Sequence, residues 1–195
     1  YTSLMAHAKN FGAVGDGKAD DTAELQHAIN DGERLVVIPH GTYRITKPLV
    51  VDLDKVGFTG ISGDGGTAKI VMDGPGPALR MVGTHQGTAD PPSFKPNVWG
   101  SQRMPTVSGL EIVGNHPEAI GIQLERTMQA TLTGLLIRKC KYGIHLITRN
   151  RNTLISHCHL YEGAGKEAIG IYLDGCDLHQ INIIGCHVSY HKHAG

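Results

Sequence analysis

A short strand motif recurs through the second half of this 195-residue chain, and it restricts the fold more than any other feature. Ile120-Gly-Ile122-Gln-Leu124, Tyr142-Gly-Ile144-His-Leu146 and Ile169-Gly-Ile171-Tyr-Leu173 are three versions of it, with central isoleucines 22 and 27 positions apart. A second set interleaves with the first: Val107-Ser-Gly-Leu-Glu-Ile112, Leu132-Thr-Gly-Leu-Leu-Ile137, Ile155-Ser-His-Cys-His-Leu160 and Ile183-Ile-Gly-Cys-His-Val188. The first residues of these are 25, 23 and 28 positions apart. Similar strands at unequal spacing are what a solenoid with loops of different length produces. Side chains alternate across a strand, so residues two apart share a face. Stacked coils then give inward ladders: Leu110, Leu135, Cys158 and Cys186; Ile112, Ile137, Leu160 and Val188; Ile122, Ile144 and Ile171. A doubly wound sheet would need long, usually helical crossovers between its strands, and nothing after residue 105 keeps a helical period. The expected fold is all-β, a single-stranded parallel β-helix.

Composition narrows the rest. One domain fits the length, with room for a sizeable core. Eighteen basic and 18 acidic residues cancel, which leaves no basic footprint for nucleic acid. Twenty-six glycines against three phenylalanines indicate many tight turns around an aliphatic core. No apolar run is long enough for a transmembrane helix. No signal peptide is visible, and Tyr1 in place of Met indicates a processed or trimmed start. The four cysteines (Cys140, Cys158, Cys176, Cys186) lack the close pairing of a zinc site and read as small core residues. An oxidised pair among them stays open.

The first third is compatible with coils. Leu35-Val-Val-Ile38 reads as a strand ending in the Pro39-His-Gly-Thr-Tyr43 turn. Leu49-Val-Val51, Val56-Gly-Phe58 and Lys69-Ile-Val-Met72 read as further strands, and Gly60 to Gly66 as a glycine-rich solenoid corner. Ahead of them, residues 11–29 read as a strand, the Gly15-Asp16-Gly17 turn and a short helix with Ala23, Leu25, Ala28 and Ile29 apolar. Asp21 stands three residues before Glu24, near capping-box spacing, so its carboxylate is expected to accept from free helix N–H groups.

That opening, Phe11-Gly-Ala-Val-Gly-Asp-Gly followed by Asp20-Asp21-Thr22, resembles the start of the pectate-lyase-like right-handed parallel β-helix proteins, as in rhamnogalacturonase/epimerase-like members. The Pro39–Tyr43 element and the repeats share the resemblance. It implies a capping α-helix that plugs the first coil, and a single β-helix domain over 1–195. Its parts are the strand and cap (1–31), first coils (32–82), a long loop (83–105) and regular coils (106–195). After Val188 no capping element is evident, which a solenoid end needs. The expectation is the N-terminal part of a longer β-helix; a covering partner or copies stacked end to end are the alternatives.

Function is implied by the resemblance: an extracellular protein acting on polysaccharide, with the glycan in a shallow groove along the strands. The fold does not select the reaction. Glycoside hydrolysis needs two carboxyl groups. Similar polygalacturonases carry acids just before strands of the Gly-Ile-x-Leu kind, but here those stretches are Glu118-Ala-Ile, Lys141-Tyr and Glu167-Ala-Ile. Asp174 and Asp177 are the remaining carboxylate pair, and a turn role is the better account of each. A lyase needs a base and positive charge, with calcium as the candidate ion, to carry a uronate-containing polymer through proton loss. Arg149 and Arg151 could supply the charge, and His145 or Tyr172 could exchange the proton. The alginate epimerases' acidic–histidine cluster has no counterpart here.

Gln123, His145 and Tyr172 occupy matching outward positions on three coils, about 4.8 Å per step. They form either a glycan-contacting row or a plain solvated face. Trp99, in the Pro- and Gly-rich loop 83–105, is either a sugar platform or the pin of that loop. His157, His159 and His187 could converge, but with no carboxylate or thiolate among them they read as stacked surface histidines and no metal site is assigned. A catalytic chain should bring charged groups together at this row beside the loop. A non-catalytic glycan-binding or structural β-helix should show flat walls and end-to-end contacts.

Overall fold

The computed structural model describes residues 5–31, 34–87, 90–176 and 179–195, and it is a parallel β-helix. Three parallel sheets wrap one core. The first runs through Met5–His7, Leu35–Ile38, Gly60–Gly63, Thr106–Ser108, Thr131–Thr133, Arg151–Ser156 and His179–Ile184. The second runs through Asp16–Asp20, Gly41–Ile45, Ala68–Met72, Leu110–Gly114, Leu136–Arg138, His159–Tyr161 and His187–Ser189. The third holds Leu49–Asp52, Gly76–Val82, Ala119–Glu125, Tyr142–Ile147 and Ile169–Asp174. Each coil passes through the sheets in that order and pairs in parallel with its neighbours.

The ladders stand as the alternation implies. Ile122, Ile144 and Ile171 are in register, as are Ile112, Ile137, Leu160 and Val188. Nearly all of these are fully buried in one apolar cluster with Leu110, Leu135 and Cys158. The four cysteines are free thiols. Burial pushes Cys140 up to about 12 and Cys158 up to about 11, so both are protonated core groups.

Three readings change and one strand is added. The strands taken as continuous from Val107 to Ile112, Leu132 to Ile137, Ile155 to Leu160 and Ile183 to Val188 are each two strands in different sheets. One left-handed residue turns the corner each time: Gly109, Gly134, His157 and Gly185, with φ between 53° and 65°. Val56-Gly-Phe58 is not a strand, because Leu53–Val56 is a helical turn started by Asp52, whose carboxylate accepts from Asp54 N at 3.2 Å. Gly60–Gly63, read as loop, is a first-sheet strand paired with Leu35–Ile38. Gly76–Val82 is a third-sheet strand without the Gly-Ile motif.

The cap also works differently in detail. The helix spans Thr22–Asp31 and buries Leu25, Ala28 and Ile29 against the first coil, while Ala23 faces solvent. The Asp21 carboxylate turns back to accept from Val14 N (2.6 Å) and Gly15 N (3.0 Å), and Asp20 takes the helix's Thr22 N at 3.1 Å. Two adjacent carboxylates thus divide the loop and the helix start between them. Gln26 closes the sheet edge: its amide donates to Val50 O (2.8 Å) and accepts from Val50 N (2.7 Å), which pairs the outermost third-sheet strand.

Candidate functional site on the third sheet

The Gly-Ile-x-Leu motif is built by close approach. Gly121, Gly143 and Gly170 stack where the second and third sheets meet. A Cβ on Gly121 would lie 2.3 Å from Gly143 O and 2.7 Å from an Ile137 methyl; one on Gly143 would lie 2.6 Å from Gly170 O. Only glycine fits, and the following isoleucine and leucine then point inward. That fixes the residue between them outward.

The outward row is therefore Val50, Arg80, Gln123, His145 and Tyr172, in register on five coils. Two residues further along lies a parallel row, in which Glu125 and Asp174 flank Ile147. The two rows are joined by polar contacts. Gln123 Nε2 lies 3.1 Å from His145 Nδ1, and His145 Nε2 lies 2.9 Å from Asp174 Oδ2. With the amide so placed, Nδ1 accepts and Nε2–H donates to the carboxylate. His145 stacks on Tyr172 with planes 6° apart and centroids at 5.2 Å, and Tyr142 packs against both rings at 4.9 Å. Asp174 also binds the Tyr172 hydroxyl and holds that phenol above its ordinary pKa, so Tyr172 stays a proton donor at neutral pH. Arg80 donates to Glu125 at 2.6 Å.

Burial divides these groups. The His145 ring is 7% exposed, packed between its neighbours, whereas the Asp174 side chain is 45% exposed and open to a ligand. Asn150 fixes the corner below them. Its buried amide accepts from Thr127 N (3.1 Å) and Thr127 Oγ1 (2.8 Å), and donates to Leu124 O and Ile147 O. The ends of two site strands are thereby tied to one side chain.

The other sequence candidates lie elsewhere on the coils or outside the described residues. Asp177 is among the residues not described. Arg149 sits in the corner after the third sheet, with its N–H on Cys176 O at 2.6 Å. Arg151 is only 5% exposed: it donates to Asp90 O (3.2 Å) and Ser93 Oγ (3.0 Å), and its guanidinium lies over Phe94. It anchors loop 83–105 to the coil wall. Trp99 is half-exposed in that loop, packed on Phe94 and under the Arg103 guanidinium. His159 and His187 pair edge to face at 6.0 Å, and His157 turns the preceding corner in the left-handed conformation. Among the described residues no three His, Cys, Asp or Glu side chains converge on a metal position. No helix is long and apolar enough to cross a membrane.

Glu125, Arg80 and Tyr142 were missed in the sequence. Glu125 was within reach, because it stands two places beyond Gln123 just as Asp174 stands two beyond Tyr172.

Comparison with known proteins places this geometry. Residues 5–76 match the family described as rhamnogalacturonase A/epimerase, pectate lyase-like. A protein of Arthroderma benhamiae named as a probable glucan endo-1,3-beta-glucosidase is 34% identical over 85 residues, covering 37% of this chain and 9% of the relative. The chain thus spans less than a tenth of that relative's length. Among solved structures, the A-module of mannuronan C-5 epimerase AlgE4 from Azotobacter vinelandii superposes with a TM-score of 0.66 at 18% identity, over 92% of this chain and 50% of that one. The surface adhesin PfbA of Streptococcus pneumoniae gives the same TM-score at 17% identity, over 98% and 50%. At such identities the two structures share the fold alone, and one is an enzyme while the other is an adhesin. Residues 5–76 thus match a pectate-lyase-like family, and the chain as a whole shares the parallel β-helix fold of these structures.

Proposed function

We propose that this chain is part of an extracellular, polysaccharide-active protein, and that the glycan lies across the outer face of the third sheet. The observation that carries the reading is the joined set Gln123–His145–Asp174–Tyr172, which stacks an amide, an imidazole, a phenol and an open carboxylate along the solenoid axis. Sugar hydroxyls both donate and accept, and aromatic rings meet their C–H faces; this surface offers all three contacts. Its charges are mutually satisfied, Arg80 by Glu125 and Lys141 by Glu118 at 2.7 Å. A neutral polymer suits it better than a uronate, which favours hydrolysis over elimination. The glucanase named among the relatives supports the same choice.

The spacing of the carboxylates supports a hydrolytic step on this reading. Asp174 and Glu125 are two strand spacings apart, about 10 Å at the backbone, and inverting hydrolases hold their carboxyl groups roughly 6.5–9.5 Å apart. Glu125, held in position by Arg80, takes a proton from water as the water oxygen bonds to the anomeric carbon. The glycosidic C–O bond breaks, and the open Asp174 carboxyl, held in place by His145, passes a proton taken up from solvent to the leaving oxygen. The test is a panel of neutral and acidic polysaccharides incubated with the purified protein. New reducing ends from a neutral glucan, without ultraviolet-absorbing unsaturated products, are expected. Unsaturated products from a uronate polymer would overturn the hydrolase assignment. Binding without cleavage of any glycan would leave a binding protein.

A further inference from the structure

The solenoid builds a second charged recess away from the third-sheet row. Arg34, Phe58 and Arg103 precede three stacked first-sheet strands, beginning at Leu35, Gly60 and Thr106, so coil winding brings them to one corner. They line an open cavity of about 360 Å³ together with Thr59, Met104 and Thr106. Both guanidiniums lie over the one Phe58 ring, at 5.8 Å and 5.0 Å from its centroid. Arg103 also lies 4.9 Å from the Trp99 ring and donates to Trp99 O. Among the described residues neither Arg34 nor Arg103 has a carboxylate partner, unlike Arg44, Arg80 and Arg138.

Two like charges held over one ring without a counter-ion repel each other, and an anion received between them relieves that repulsion. The recess offers more than charge. Trp99 is 45% and Met104 57% exposed beside it. Met104 holds φ at 54°, a left-handed conformation unusual for a methionine, with its N–H on Met128 O at 3.0 Å. The same conformation recurs at Gln129, two residues before the next first-sheet strand as Met104 is before Thr106, so it is a repeated corner of the solenoid, and here it carries an exposed side chain into the recess. Thr59 and Thr106 donate their hydroxyl protons to backbone carbonyls (3.0 Å each), which leaves oxygen lone pairs for incoming donors.

We infer that this corner is a second binding site, for a sugar residue bearing an anionic group, a carboxylate or a sulfate ester. The oxyanion sits between the Arg34 and Arg103 guanidiniums, and the ring's C–H face lies against Trp99 and Met104. That the anion is carried on a sugar rests on the polysaccharide reading above.

Calorimetric titration of the purified protein tests it, with trigalacturonate, a sulfated galactan oligosaccharide, neutral laminaritriose and sodium sulfate as probes. At least one acidic oligosaccharide should bind, and the Arg34→Gln/Arg103→Gln protein should bind it at least tenfold more weakly with an unchanged circular dichroism spectrum. Trp99→Ala should weaken the same probe severalfold, and whichever acidic probe binds more tightly identifies the anion. Equal affinity in the double variant, no saturable binding of either acidic oligosaccharide, or sulfate binding as tightly as both would overturn the site. A wild-type protein that cleaves glucan but binds no acidic sugar refutes this corner alone. Arginine-dependent acidic binding by a protein that cleaves nothing keeps the corner and refutes the hydrolase reading.

Discussion

On the outer face of the third sheet the polar groups answer one another: Arg80 pairs with Glu125, Lys141 with Glu118, and His145 hydrogen-bonds Asp174, whose carboxylate stays half-exposed. At the corner of Arg34 and Arg103 two cations share an aromatic ring, and among the described residues no carboxylate pairs with either. Both surfaces come from the same device, equivalent positions stacked by successive coils. The difference lies in what the rungs carry. A face whose polar groups already satisfy one another is pre-organised and suits neutral hydroxyls, with a single open carboxylate, Asp174, left to do chemistry. A face with unanswered charge waits for an ion. One solenoid can therefore present two kinds of glycan contact without any change of fold.

The largest effect should come from opening the pairs on the row. Asp174→Asn removes the acceptor that orients His145, and glucan cleavage should fall by about 10²–10⁴-fold in a reducing-end assay. A loss below threefold would show that Asp174 takes no part. Gly121→Val should come next, because it forces a side chain into Gly143 O and the Ile137 methyl. A loss of about 3 kcal/mol or more is expected in urea unfolding, against little change for Gly100→Ala, where a Cβ meets nothing within 4 Å and the backbone is not left-handed.

Salt should separate the two surfaces directly. Raising the ionic strength to roughly 0.5 M shortens the screening length to a few ångströms. Acidic-sugar binding at the corner should weaken severalfold while laminaritriose binding at the row stays constant. Equal salt dependence at both would erase the contrast drawn here.

The smallest effect concerns loop 83–105, which lies between the surfaces. His85 is buried at its base with Nδ1 unbonded. Burial, and then the nearby Arg151 and Arg149 charges, hold its pKa below the usual 6.5. The closed loop keeps His85 neutral and an opened one lets it protonate, so closure carries no penalty above about pH 6.5 and weakens as pH falls below it. Hydrogen exchange across 83–105 should rise between neutral pH and pH 5, after correction for intrinsic rates, and His85→Gln should flatten that rise.

How much of this the chain discloses on reading depends on whether the signal is local. The ladders of Ile122, Ile144 and Ile171 were legible because alternation and repetition coincide there, and the Gln123–His145–Tyr172 row came with them. The double strands were not, because a left-handed residue resets the alternation. Gly109 and Gly134 advertise such a turn, whereas His157 adopts it with a full side chain. Arg80 was hidden because Gly76–Val82 reaches the same register without the motif. The corner was least legible of all: Arg34, Phe58 and Arg103 meet only because coils of very different length begin their first-sheet strands at the same height. The Asp21 carboxylate shows the same limit on a smaller scale. Its spacing suits a helix cap, yet the loop at Val14 and Gly15 competes for it and wins.

The most direct test of the third-sheet assignment is a nuclear magnetic resonance titration of the labelled protein with a neutral gluco-oligosaccharide. The account predicts saturable shifts at Gln123, His145, Tyr172 and Asp174. Shifts confined to other faces of the coil, with those four residues unmoved at saturation, would contradict it.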